Sequence, residues 1–218
     1  MRRKDAIPSV LMSGFGSCTL GGSGYNPVMT ALEKPVAISV EDYLTGEETS
    51  DVKHEYLGGT VHAMAGASNQ HNRIATNSII SLGGQLRGKP CQALNSDVKV
   101  RIEFPDHTRF YYPDAMVVCL PNPLTDHSQD QPVVVIEVLG DTTRRADLAE
   151  KRDAYLMLPS LKVLIFVEPE KPSVTLHRRK PGGGFAIEHH LGLEAVIPLP
   201  EIDASLTLAD LYDRVEFR

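Results

Sequence analysis

Val133-Val134-Val135-Ile136-Glu137-Val138-Leu139 is apolar on both faces except at Glu137, and Leu161 to Val167 is a second continuous apolar run. Between them, Arg144 to Leu158 has the composition of a helix that Pro159 stops. Strands apolar on both faces are covered on both faces, and two of them joined through a helix pair in parallel. The stretch 133–167 therefore predicts an α/β fold: a mixed β-sheet flanked by helices, with additional hairpins.

Working outward, Arg109 to Cys119 and Ser96 to Ile102 read as further strands, with 109–119 and 133–139 at the centre of the sheet. Asn69 to Leu86 has helical spacing through Ile74, Ala75, Ile79, Leu82 and Leu86, with Gly88 beyond its end. Gly58-Gly59 joins His54–Leu57 to Thr60–Met64 as a tight hairpin, and a second hairpin is expected around Pro181-Gly182-Gly183-Gly184. Ser39, with Asp42 three residues on, caps a short helix to about Gly46, and a last helix is expected over Leu206–Tyr212. Residues 1–35, rich in Gly, Ser and Pro, read as a flexible leader to a domain over 36–218; their Gly21-Gly22-Ser23-Gly24 lacks the Lys-Ser/Thr ending of a phosphate loop.

The 218 residues suit one domain. With 22 Lys and Arg against 28 Asp and Glu, the net charge of −6 argues against binding nucleic acid or anionic lipid by bulk basicity. Cys18, Cys91 and Cys119 are odd in number and widely spaced, which fits neither a disulfide framework nor a zinc site and points to a reducing, cytoplasmic compartment. No apolar run approaches the roughly 20 residues of a membrane span.

Glu137 is the most informative residue. An isolated carboxylate in a strand buried on both faces costs several kcal/mol unless a cation or metal compensates it. Asp114, in Tyr112-Pro113-Asp114-Ala115, follows a proline where a strand leaves a bend, and its strand can neighbour that of Glu137. Two such carboxylates call for a shared proton or a divalent cation such as Mg²⁺ or Mn²⁺. Asp147, Lys151 and Tyr155 recur every four residues, so one helix face can carry Lys151 to the pair. Taken singly, each has a plainer reading: a salt bridge for Glu137, a turn cap for Asp114, an exposed i,i+4 pair for Lys151.

Pro-Asp, a strand with Glu, and a following Lys resemble the PD-(D/E)XK nuclease superfamily. Within it, residues 40–212 resemble the Uma-two family of restriction endonucleases, a former domain of unknown function. The matching blocks are Lys53-His54-Glu55-Tyr56-Leu57-Gly58-Gly59, Ala65 to Asn72, Ser96 to Val100, Tyr112-Pro113-Asp114, Glu137-Val138-Leu139 and Thr143 to Tyr155. Two positions depart: Leu139 stands where the superfamily has lysine, and Gly140 where the family commonly has serine. The resemblance moves the lysine to the next helix as Lys151. It implies a restriction-endonuclease-like fold and metal-dependent hydrolysis of phosphodiester bonds, with DNA as partner and Mg²⁺ or Mn²⁺ as cofactor. Asp114, Glu137 and the Val138 carbonyl would hold the metal, with Glu55 as auxiliary ligand or orienter of Lys151. A homodimer is compatible with it. His71, Arg144 and Arg145 are candidate substrate contacts, and Arg73, Arg87, Lys89, Lys99 and Arg101 could line a cationic approach. The alternative is a catalytically weak or inactive nucleic-acid-binding or interaction module on a nuclease scaffold.

Overall fold

The computed structural model describes residues 37–140 and 146–217, so the expected leader 1–35 and the candidates Arg144 and Arg145 lie outside the described residues. Helix α1 (Val40–Thr49) starts as expected, with Ser39 Oγ accepting from the Asp42 amide at 3.0 Å. It runs three residues past Gly46. Its last turn is held by the Glu47 side chain, which bonds to His54 and Tyr112, and such tertiary contacts override a weak glycine stop. Strands β1 (His54–Leu57) and β2 (Thr60–Ala63) form the hairpin. Gly58 and Gly59 take φ of +57° and +104°, the left-handed turn that glycine allows.

Helix α2 (Asn69–Leu86) has the predicted bounds; Ser68 caps it by accepting from the His71 amide, and Ile74, Leu82 and Leu86 are buried. The chain continues through β3 (Gln92–Asn95), β4 (Lys99–Glu103), β5 (Thr108–Tyr111), β6 (Ala115–Val118), β7 (Ser128–Gln129) and β8 (Pro132–Val138). Then come α3 (Ala146–Leu156), β9 (Val163–Val167), β10 (Ser173–Arg179), β11 (Phe185–Leu191), β12 (Val196–Leu199), β13 (Ala204–Thr207) and α4 (Leu208–Leu211).

The single strand expected over Arg109–Cys119 is two strands, β5 and β6, that belong to different sheets; Pro113, which has no N–H to give a ladder, lies in the crossing. The strand expected from Ser96 starts at Lys99, because Asn95 Oδ1 accepts from the Asp97 amide and turns the chain after β3. The final helix starts at Leu208, with Leu206 and Thr207 paired to β12.

A six-stranded sheet runs β11-β10-β9-β8-β6-β3 and a five-stranded sheet runs β2-β1-β5-β4-β7, with β12–β13 as a separate pair. β8 and β9 are parallel, as the strand–helix–strand reading requires, while β6 runs antiparallel to β8. One face of the six-stranded sheet, with Val117, Val134, Ile136 and Ile165, packs on α2, β12, β13 and α4. Its other face, with Met116, Val135, Leu164 and Phe166, shares a second core with Val100, Ile102 and Tyr111 of the five-stranded sheet and Ala154, Tyr155 and Leu158 at the end of α3 and just beyond. Glu137 alternates with Ile136 and Val138 and so faces this second core.

Cys91 and Cys119 form a disulfide across the outer ends of β3 and β6. This overturns the expectation of unpaired cysteines. The spacing argument missed it because cross-strand register, not sequence distance, brings the two together: Gln92 pairs with Val118 one step inside them. The cysteines therefore give no argument for a reducing compartment. No helix among the described residues is long and apolar enough to cross a membrane.

Candidate active site

The site lies where β6 begins and β8 ends. Ala115 pairs with Ile136, so Asp114 and Glu137 extend the same antiparallel register by one step. Asp114 is fastened on both oxygens: Oδ2 accepts the Val138 amide at 2.7 Å, and Oδ1 lies 2.8 Å from Nε2 of His71 in the first turn of α2. Burial opposes protonation of His71, but the hydrogen bond and charge of Asp114 outweigh it and hold the imidazole pKa above its ordinary value.

Glu137 is 8% exposed. Its Oε1 accepts the buried hydroxyl of Tyr155 at 2.8 Å and lies 3.8 Å from Lys151 Nζ. Burial pushes its carboxyl up to about 7, and the negative charges of Asp114 and Glu55 add to this, while Lys151 and Tyr155 pull the other way. Lys151 is closer to Glu55 of β1, whose Oε1 lies 2.6 Å from Nζ in a charge contact that falls short of an aligned hydrogen bond. Its ammonium also lies over the Tyr111 ring, 5.6 Å from the centroid. Burial would lower the Lys151 pKa, but Glu137 and Glu55 prevail and raise it. Lys151 is thus a held cation.

Alongside the ammonium, Arg109 Nη1 and the Tyr111 hydroxyl both donate to Glu150 Oε1, at 3.0 and 3.4 Å, which ties α3 to the five-stranded sheet beside the site.

Four sequence candidates, Glu55, Asp114, Glu137 and Lys151, thus meet at one place, with Val138 bonded to it through its amide and His71 beside it. Tyr155 was visible in the sequence only as the residue four beyond Lys151, a spacing that assigned it no partner. Three of the cations expected along the approach, Lys99, Arg101 and Lys89, are taken up by protein partners. Lys99 is 5% exposed and donates to the Tyr112 hydroxyl; Arg101 forms a two-point pair with Asp130; Lys89 is tied to Asp203. The alternation of Lys99 and Arg101 along β4 reads the same whether their partners are phosphates or the protein itself.

Among the described residues, no three His, Cys, Asp or Glu side chains group closely enough to hold a metal ion by themselves. A hard divalent cation nonetheless fits the donor set. Among the described residues, three carboxylates face one ammonium and one imidazole, an excess of negative charge when Glu137 is ionised, and Mg²⁺ uses one or two carboxylates and fills its remaining positions with water or phosphate oxygens. Asp114 and Glu137 could supply those carboxylates.

The chain is 28% identical over 184 residues to the uncharacterized protein slr1290 of Synechocystis sp. (strain ATCC 27184 / PCC 6803 / Kazusa), covering 83% of this chain and 94% of that one. It is 28% identical over 134 residues to the uncharacterized protein sll1609 of the same organism, covering 60% of this chain and 75% of the relative. Its fold matches a crystal structure described as a putative nuclease belonging to DUF820 from Anabaena variabilis ATCC 29413. That match has a TM-score of 0.65 and 16% identity, over 82% of this chain and 99% of that one. The model of the Uma2 family, described as "Putative restriction endonuclease", matches residues 40–209, and the chain belongs to that family.

Proposed function

We propose that the chain is a divalent-metal-dependent endonuclease that hydrolyses phosphodiester bonds of DNA. One observation carries this reading: Asp114, just before β6, and Glu137, on the neighbouring β8, extend one register step, and Lys151 reaches Glu137 with its ammonium against Glu55. Asp114, Glu137 and the Val138 carbonyl are the residues that would hold Mg²⁺ or Mn²⁺. A bound ion of this kind lowers the pKa of water and polarises a phosphoryl oxygen.

The protein's own groups have distinct tasks in this reading. Lys151, with its pKa raised, is a poor base near neutrality, so it donates hydrogen bonds to the attacking water or to a phosphate oxygen and offsets charge that develops there. Glu55 orients Lys151, in preference to serving as a ligand, because its Oε1 is already against the ammonium. Tyr155 fixes one oxygen of Glu137, and His71 and the Val138 amide fix the two of Asp114. With its Nε2 occupied, His71 acts on Asp114 before it acts on substrate. Arg144 and Arg145, which precede α3 in the sequence, are the proposed phosphate contacts.

The test pairs calorimetric titration of Mn²⁺ with nicking of supercoiled plasmid, using the wild type, Asp114→Asn and Glu137→Gln. Expected are metal binding and EDTA-sensitive nicking by the wild type alone. Wild-type nicking by either variant refutes the mechanism. DNA binding with no nicking in Mg²⁺ or Mn²⁺ establishes the inactive binding module in its place.

A further inference from the structure

The last turn of α1 carries Glu47 and Glu48 and no basic residue, the wrong charge for a helix C-terminus. The Glu47 side chain nevertheless points inward and is only 7% exposed. Its Oε1 lies 2.8 Å from His54 Nδ1, and its Oε2 accepts the Tyr112 hydroxyl at 2.7 Å and the His54 amide at 3.2 Å. The β1–β5 ladder consists of Tyr56 with Phe110 and Leu57 with Arg109. Continued backward, the same register would place Glu55 opposite Tyr111 and His54 opposite Tyr112, but the strands have already parted. Glu47 joins that missing rung through its carboxylate. Lys99 Nζ donates to the Tyr112 hydroxyl at 3.1 Å, which turns the hydroxyl proton toward Glu47. The Tyr43 hydroxyl donates to the His54 carbonyl at 2.6 Å and fixes the other side.

His54 immediately precedes Glu55, and Tyr112 lies two residues before Asp114. We infer that Glu47 is a positioning residue for the site: it clasps the segments that deliver Glu55 and Asp114 from behind and so sets the Glu55–Lys151 pair against Asp114 and Glu137. This deepens the metal-site reading and rests on it. Glu47 does not touch the pocket, since β1 presents His54 and Glu55 to opposite faces of the sheet. A glutamine in its place could accept from Tyr112 but not from both the amide and the ring of His54 as well.

The experiment compares the full-length wild type with Glu47→Gln, Tyr112→Phe, the double variant and Glu188→Gln, well below every melting temperature. Glu188 pairs with Arg178 across β10 and β11 and serves as a stability control. Partners that contact a ligand directly typically change metal affinity by about 10- to 100-fold. One layer further out, Glu47→Gln is expected to weaken Mn²⁺ binding about fivefold, Tyr112→Phe by a similar factor, and the double variant by no more than either, since both break the same clasp. Glu188→Gln should leave Mn²⁺ affinity unchanged. Wild-type affinity in Glu47→Gln or Tyr112→Phe overturns the inference, as does an equal loss in Glu188→Gln. If Glu47→Gln does not fold, Tyr112→Phe carries the test alone. A wild type that binds no Mn²⁺ overturns the metal site itself, a different failure.

Discussion

If Glu137 is kept for a cation at the expense of stability, its neutral isostere should stabilise the metal-free protein at alkaline pH. Its carboxyl is pushed from 4.5 to about 7, a balance that already includes the attraction of Lys151 and the Tyr155 hydrogen bond. At about 1.4 kcal/mol for each pH unit, the ionised form costs the fold on the order of 3 kcal/mol. The sign follows from linkage: an acid with a raised pKa in the fold contributes stability that is complete below its unfolded value and disappears as pH rises through its folded value. Glu137→Gln should therefore match the wild type near pH 4.5, gain on it between pH 4.5 and 7, and keep a constant advantage above pH 7. For a domain of this size each kcal/mol shifts the melting point by roughly 2–4 °C. The expected gain is about 6–12 °C at pH 8. Differential scanning calorimetry in EDTA at pH 4.5 and pH 8 measures it, and added Mn²⁺ should raise the wild type and not the variant. A variant that melts below the wild type at pH 8, or with the same advantage at both pH values, refutes the argument that burial leaves this carboxylate under-compensated.

Lys151→Met removes the only ammonium beside Glu55 and Glu137 among the described residues, and losing one partner of a buried pair costs about 3–5 kcal/mol. Calorimetry should show a loss of that order at pH 8, partly recovered by Mn²⁺, with nicking abolished while the metal still binds; nicking at the wild-type rate would remove Lys151 from the chemistry. Cys91→Ser with Cys119→Ser opens a 28-residue loop and should cost about 3.5 kcal/mol in denaturant titrations. It should leave Mn²⁺ affinity untouched, because Cys119 follows the end of β6 while Asp114 precedes its start. A change in that affinity would show that strain passes along β6 to the site.

The legible parts of the fold are those in which a local period and a local stop signal agree. Helix α2 is one: its apolar positions repeat at helical spacing and its cap is a serine, so its bounds follow from the chain alone. The unit β8–α3–β9 is another, because apolar runs on both faces leave little choice but a covered parallel pair. Legibility ends where one run of apolar residues serves two layers. From Arg109 to Cys119 the pattern reads as a single strand, since Phe110, Tyr111, Met116 and Val117 are all buried, but they fill cores contributed by different sheets. The alternation of side chains shows that a residue is covered and not by what. The same limit hid Tyr155 and Glu47. Tyr155 lies on the expected helix face, yet its partner is 18 residues upstream; Glu47 lies beyond a glycine that locally signals the helix end, and its partners are fixed by a ladder that stops short. Glu137 stood out because it is costly where it stands, and cost is visible in sequence when the surroundings are uniformly apolar; Asp114 stood out by the proline before it and Lys151 by its helical spacing.

The break that defeats the strand reading also makes room for the site. Had β5 and β6 been one continuous strand, residue 114 would have stood inside a ladder, its backbone committed to both neighbours. Pro113 removes a donor and ends the pairing, so Asp114 emerges at the rim of the six-stranded sheet with its carboxylate free to meet the Val138 amide and His71. The same crossing carries β5 into the five-stranded sheet, where it pairs with β1 and brings Glu55 over α3. Thus a single interruption in the chain places two carboxylates, one from each sheet, around the third at the end of β8. Ligands of open α/β sheets gather at the carboxyl ends of strands for a related reason: backbone groups there have lost their partners and side chains are not yet covered. The negative charge of this pocket is therefore tied to its topology. Restoring a continuous strand at Pro113 would remove the convergence even with every acidic residue retained.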